Sequence, residues 1–148
     1  MSITFAELPL RKETIEALHQ HGFTAPFAIQ EMVLPIALAD GDVIGQAKTG
    51  TGKTLAFGVP VIERVIAPND VEWADFANKG MPQVLIVVPT RELCTQVTRD
   101  IEELASNRGI RTVAVYGGRA FEPQIEALQA GVEIVVGTPG RLLDLSRQ

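Results

Sequence analysis

Three short apolar runs constrain this chain more than any other feature in it. Val84 to Val88, Thr112 to Tyr116 and Val132 to Val136 are nearly continuous aliphatic stretches. They end in Pro89-Thr90, Gly117-Gly118 and Gly137-Thr138-Pro139 respectively, and a helical pattern follows each. A strand without a polar face must be covered on both sides, and parallel neighbours need a crossover, which helices supply. The pattern predicts an α/β fold with a mainly parallel sheet covered by helices on both faces. Inward positions of the intervening helices are Leu93, Val97, Ile101 and Leu104 in the first, and Ile125 and Leu128 in the second.

The first half of the chain alternates less regularly. Ile15 and Leu18 share a helical face that stops at Gly22, and a second helix from Ala28 carries Ile29, Met32, Val33 and Ile36. Pro35 should bend or restart that second helix, because proline removes a helical donor and crowds the preceding turn. Asp42 to Gln46 reads as a short strand, and a helix from Lys53 runs on through Leu55, Phe57, Val61, Ile62 and Ile66. Ala67 to Pro82 is polar, holds Trp73, the only tryptophan, and reads as a surface connection with one helical turn.

Between the Asp42 strand and the Lys53 helix lies Ala47-Lys48-Thr49-Gly50-Thr51-Gly52-Lys53-Thr54. Strand, glycine-rich loop and helix start form the setting of a phosphate-binding loop. Gly50 and Gly52 permit the tight turn that points backbone N–H groups inward, and the helix start adds unpaired donors and a positive dipole end. Lys53 would reach the β- and γ-phosphates, and Thr54 would offer a hydroxyl to Mg²⁺. Ala47 stands where the usual pattern begins with glycine. The loop points to a nucleoside triphosphate without saying how its energy is used.

Two more helix starts suit anions. Thr90 and Thr138 are placed to cap the helices that follow, with Pro139 at a first helical position where its missing N–H does no harm. Arg91 and Arg141 fall in the first turns, where the dipole disfavours cations, so an anionic partner would explain them. Gly117-Gly118 allows close backbone approach at a third strand end. Each loop alone is ordinary cap and turn chemistry. Together with the phosphate loop at the carboxyl ends of the strands, they favour a second, extended anion such as a nucleic-acid backbone.

Charge restricts how such a partner is held. The net charge is −5 over 148 residues, which excludes a broad basic surface and requires locally arranged donors. No stretch reaches the roughly 18 apolar residues of a membrane span, and the first residues lack a leader pattern. The single cysteine, Cys94, excludes an internal disulfide and reads as a buried thiol, so a cytoplasmic protein is expected. His19 and His21 flank a helix end with no ligand cluster nearby, which suggests a surface or capping role. Glu102-Glu103 and Asp40 to Asp42 read as solvated charge.

These residues resemble the DEAD-box ATP-dependent RNA helicases. The resemblance rests on A-K-T-G-T-G-K-T, Pro89-Thr90-Arg91-Glu92-Leu93, Gly117-Gly118 and Thr138-Pro139-Gly140-Arg141, in that order. Gly22-Phe23 through Pro26 to Ile29-Gln30, with Phe5 upstream, is similar to that family's Q motif. It implies the N-terminal part of a RecA-like phosphate-loop domain, with an adenine-recognition element over residues 1–31 and the incomplete ATP-binding domain over 32–148. Gln30 would read the adenine edge, Phe23 would stack on its face and Phe5 would support the element. Read alone, Phe23 is a core residue behind a helix cap.

The resemblance further implies that Pro89, Thr90, Arg91, Gly117, Gly118, Thr138, Pro139, Gly140 and Arg141 hold the backbone of single-stranded or duplex RNA. That contact would carry no sequence preference. Phe27 and Ala28 replace a commoner Thr-Pro, a change not expected to alter the adenine contacts. The Asp-Glu-Ala-Asp strand and a second RecA-like domain would follow Gln148 in such a protein. The 148 residues alone are therefore expected to fold poorly, with apolar edges such as Val84 to Val88 exposed, and to turn over no ATP. A different phosphate-loop enzyme, such as a kinase, fits neither the Q-like element nor the Thr138 loop. A non-catalytic nucleotide- or RNA-binding module stays open as the alternative.

Overall fold

The computed structural model describes residues 3–48 and 52–148. The principal elements are α1 (Lys12–Gln20), α2 (Ala28–Leu38), α3 (Lys53–Arg64), β1 (Val84–Val87), α4 (Arg91–Ala105), β2 (Thr112–Val115), α5 (Phe121–Ala130), β3 (Ile134–Gly137) and α6 (Pro139–Ser146). Short 3₁₀ turns cover Phe5–Glu7, Val71–Asp75 and Ser106–Arg108. The chain groups into two compact units: Met1–Arg64 with Glu103–Asn107, and Val65–Glu102 with Arg108–Gln148.

In the first unit, α1 ends as its composition predicts. Gly22 takes φ +82, in the left-handed region that glycine enters without a Cβ penalty, and Phe23 N–H donates back to the Leu18 carbonyl at 2.8 Å. The His21 ring nitrogen bonds the Ala17 carbonyl at 2.8 Å, the capping role expected of it. α2 runs unbroken past Pro35, so of the expected bend or restart there is no restart, and α3 likewise contains Pro60. One missing donor in an eleven-residue helix leaves the flanking turns bonded, and α2 and α3 pack side by side. Leu55, Ala56, Val59 and Ile62 form the buried face of α3.

The expected strand at Asp42 to Gln46 does not form. Residues 41–48 have no strand partner among the described residues, and the Ile44 side chain is fully exposed. A strand is defined by its ladder, and an apolar sequence without a neighbouring edge stays extended and unpaired.

The second unit contains the sheet. β3 is central and parallel to both neighbours, in the order β1-β3-β2. All four residues of β3 are buried, as a two-sided apolar run requires. Val115, Val132 and Val135 pack with Val113, Leu128, Leu142 and Leu145 on one face. The third strand starts two residues later than its apolar run suggests. Val132 N–H bonds the Gly80 carbonyl, and Glu133 N–H bonds that of Arg111, so neither enters the regular ladder. β1 is an edge strand whose Leu85 and Val87 are exposed, as anticipated for that run.

The Ala67–Pro82 connection carries its helical turn at Val71–Asp75 and is tied down by polar contacts. Asp70 pairs with Arg108, and both side chains are nearly fully buried. The Gln83 amide brackets Ile66, accepting from its N–H and donating to its carbonyl at 2.9 Å each. Arg111 pairs with the fully buried Glu133 at 2.6 Å and lies 5.9 Å from the Trp73 ring centre.

Candidate functional site

In the phosphate-loop segment, Ala47, Lys48, Gly52, Lys53 and Thr54 are described, whereas Thr49, Gly50 and Thr51 lie outside the described residues. Lys53 is the first residue of α3 and its side chain is exposed; Thr54 is half-buried. Gly52 takes φ +82, and a Cβ built there would lie 2.1 Å from Gln30 Nε2 and 2.8 Å from Phe27 Cδ2. Glycine is therefore required both by the backbone angle and by the closeness of α2.

Gln30 is the residue that closes on this loop. It is 1% exposed, and a buried amide needs partners for both its ends. Nε2 donates to the Gly52 carbonyl at 2.9 Å, and Oε1 accepts from Phe27 N–H at 3.0 Å, closing the first turn of α2. The expected adenine-reading side chain thus touches the loop directly. Phe5 is fully buried, its N–H on the Thr24 carbonyl at 3.2 Å, while Phe23 is half-buried. Phe27 was not expected to matter, yet its half-exposed ring lies beside Gly52. Its signal was the substitution at a helix start, read as neutral.

In the second unit, the ladder register pairs Val87 and Val115 each with Gly137. The three strands end level, so Pro89-Thr90, Gly117-Gly118 and Thr138-Pro139 leave from one carboxyl edge. Thr90 Oγ1 accepts from Leu93 N–H at 3.2 Å, the predicted cap. Thr138 corrects its prediction: its backbone sits at the cap position of α6, but its hydroxyl makes no capping bond. The strand end is held through the backbone, with Thr138 N–H on the Val115 carbonyl at 3.1 Å.

Arg91 and Arg141 differ at this edge. Arg91 is exposed, lies 5.4 Å over the Tyr116 ring, and brings one guanidinium nitrogen to 3.3 Å from a Cβ built on Gly118. Arg141 is only 8% exposed. It donates to Gln124 Oε1 at 3.0 Å and to the Arg119 carbonyl at 2.9 Å, and lies 4.0 Å over the Phe121 ring. Gln124, in α5, passed unnoticed in the sequence, where no spacing marks it. Cys94 is buried as expected; burial raises its thiol above the ordinary 9.0, and the sulfur donates to the Val136 carbonyl.

The DEAD/DEAH box helicase model matches residues 27–148. The chain belongs to this family. It is 41% identical over 141 residues to the DEAD-box ATP-dependent RNA helicase CshA of Geobacillus kaustophilus, covering 95% of this chain and 28% of that protein. It is 42% identical over 144 residues to the Streptococcus pneumoniae protein of the same name, covering 97% and 26%. Among solved structures, a DEAD box protein from Methanococcus jannaschii superposes with TM-score 0.82 at 40% identity, covering 97% of this chain and 37% of that one. A hypothetical ATP-dependent RNA helicase from Sulfolobus tokodaii gives 0.78 at 33% identity, covering 93% and 37%. The fold is the RecA-like α/β fold of DEAD-box domains, and the chain spans little more than a quarter of these curated relatives. Among the described residues, no helix is long and apolar enough to cross a membrane and no His/Cys/Asp/Glu group could hold a metal.

Proposed function

We propose that this chain is the ATP-binding, RNA-engaging front section of an ATP-dependent RNA helicase. The observation that carries the reading is the bond between Gln30 and Gly52, which links the adenine-recognition element of residues 1–31 to the phosphate loop of 32–148. To read the adenine edge, the buried Gln30 amide exchanges these internal bonds to Gly52 and Phe27 for the base when ATP binds. Phe23 stacks on adenine, and Phe5 holds the element in place from the core. Residues 47–54 cradle the triphosphate through their N–H groups, and the start of α3 adds its dipole.

Lys53, exposed at that helix start, fits a point charge on the β- and γ-phosphates, and the Thr54 hydroxyl fits a Mg²⁺ carried in with ATP. The loops at Pro89-Thr90-Arg91, Gly117-Gly118 and Thr138-Pro139-Gly140-Arg141 hold an RNA backbone, single-stranded or duplex. Donors aimed at phosphates and sugars carry no base information, so binding has no sequence preference. A second RecA-like domain and the metal-holding carboxylates complete the enzyme in the full-length protein, which acts in the cytoplasm.

In the full-length protein, Lys53→Ala is expected to lower RNA-stimulated ATP turnover by at least about a hundredfold, the scale of losing one preorganised charge stabiliser. An unchanged kcat removes the phosphate-loop assignment. Equal use of ATP and GTP by the wild type removes the adenine-reading role of Gln30.

A further inference from the structure

We propose that Gln124 and Arg141 form a clamp that shapes the Gly117-Gly118 turn, and that Arg141 is a positioning residue with no direct contact to the RNA backbone. The proposal rests on the reading of the strand-end loops as an RNA-backbone site and gives Arg141 a different role within it.

The geometry brackets the glycine pair from both sides. Gln124 Nε2 donates to the Tyr116 carbonyl at 3.1 Å, just before the pair, and Arg141 donates to the Arg119 carbonyl at 2.9 Å, just after it. A third bond, from Arg141 to Gln124 Oε1 at 3.0 Å, joins the two holders. All four residues from Gly117 to Ala120 are exposed and Gly118 sits at φ +80, so the turn has few other means of keeping one shape.

Each holder is itself fixed. Gln124 is 7% exposed within α5, and Arg141 is 8% exposed at the start of α6 with its guanidinium 4.0 Å over Phe121. A planar fork that stacks on an aromatic ring while serving two acceptors is a task lysine cannot copy. Because Arg141 follows Thr138-Pro139-Gly140, the clamp also ties the shape of the Gly117-Gly118 turn to the Thr138 segment. Arg91, exposed and beside Gly118, is placed to meet a phosphate.

The test uses the full-length protein with Gln124→Ala, Arg141→Lys and Arg141→Met. RNA affinity is measured on an unstructured single strand at several salt concentrations, and backbone order parameters of residues 116–120 are measured by NMR relaxation. All three variants should bind on the order of tenfold more weakly, the loss of one charge-assisted bond read through the arithmetic of affinity. Their salt dependence should match the wild type, because no cation has left a phosphate. Backbone order parameters at Gly117 and Gly118 should fall, and ATP affinity without RNA should hold in Gln124→Ala, which separates the effect from general unfolding.

A direct contact gives another pattern. Arg141→Met would then lower the salt slope by about 0.7, and Arg141→Lys would restore both slope and affinity. That result overturns the proposal, as do unchanged order parameters at Gly117 and Gly118 in Gln124→Ala. A wild type that fails to retain RNA overturns the backbone-site reading instead, and the order parameters alone then decide whether the clamp exists.

Discussion

The same local grammar, an apolar strand followed by a glycine-bearing loop and a helix, recurs in this chain, and two of its instances give different results. At Val132 to Leu145 it yields β3, a fully buried central strand, and a turn whose backbone is fixed by its neighbours. At Asp42 to Arg64 it yields α3 preceded by an unpaired extended segment with Ile44 in solvent. The helices of both regions form on schedule because their bonds close within four residues. The strands do not, because a strand borrows its partners from elsewhere.

Hydrogen exchange on the 148-residue chain tests this contrast where it is largest. Amides 43–46 should exchange near the rate of an open chain, and those of 134–137 measurably more slowly; open-chain rates in both would mean that the 148 residues do not hold the sheet alone. Comparable protection in the two segments would mean that the Asp42 segment has found a ladder.

Next in size is Asp70→Ala. It strands the Arg108 guanidinium, 2% exposed, without its carboxylate and should cost about 3–5 kcal/mol in urea unfolding of the sheet unit. A loss below about 1 kcal/mol would show that this buried pair contributes no more than a surface one.

In the helical unit the corresponding weak point is Gly52. Gly52→Ala places a Cβ 2.1 Å from Gln30 Nε2 at a positive φ, so it should cost about 1–3 kcal/mol locally and disturb ATP binding while leaving exchange in β3 unchanged. Wild-type ATP affinity in this variant would release Gln30 from its assigned link to the loop.

The smallest effect concerns Cys94. Its burial raises the folded thiol above 9.0, so an unfolded chain loses this proton first as pH climbs. The folded state binds the proton more tightly, and its stabilising contribution is full below the ordinary pKa and lost as pH rises through the folded one. Stability of the sheet unit should fall more steeply in alkaline solution for the wild type than for Cys94→Ala. Parallel curves would place the thiol in contact with solvent.

How much was legible follows the range of the interactions involved. The parallel sheet, the helix stop at Gly22, the helix start at Lys53, the Thr90 cap and the buried Cys94 were all readable. Each depends on residues a few positions apart or on a run of one character. The absence of a restart at Pro35, the missing strand at Asp42 and the lack of a capping bond from the Thr138 hydroxyl were not. In those places the local preference was real, but packing, partner strands or a competing backbone bond decided the outcome.

The sequence by itself determined the α/β class and the family, since these rest on periodicity and on motifs that keep their order along the chain. Only the tertiary structure decided that Gln30 bonds the loop, that Asp70 faces Arg108 across 38 positions, and that Arg141 turns inward while Arg91 stays outside. The reason is physical: a side chain's partners are chosen by distance in space, and folding brings together residues whose separation in sequence carries no trace of that meeting.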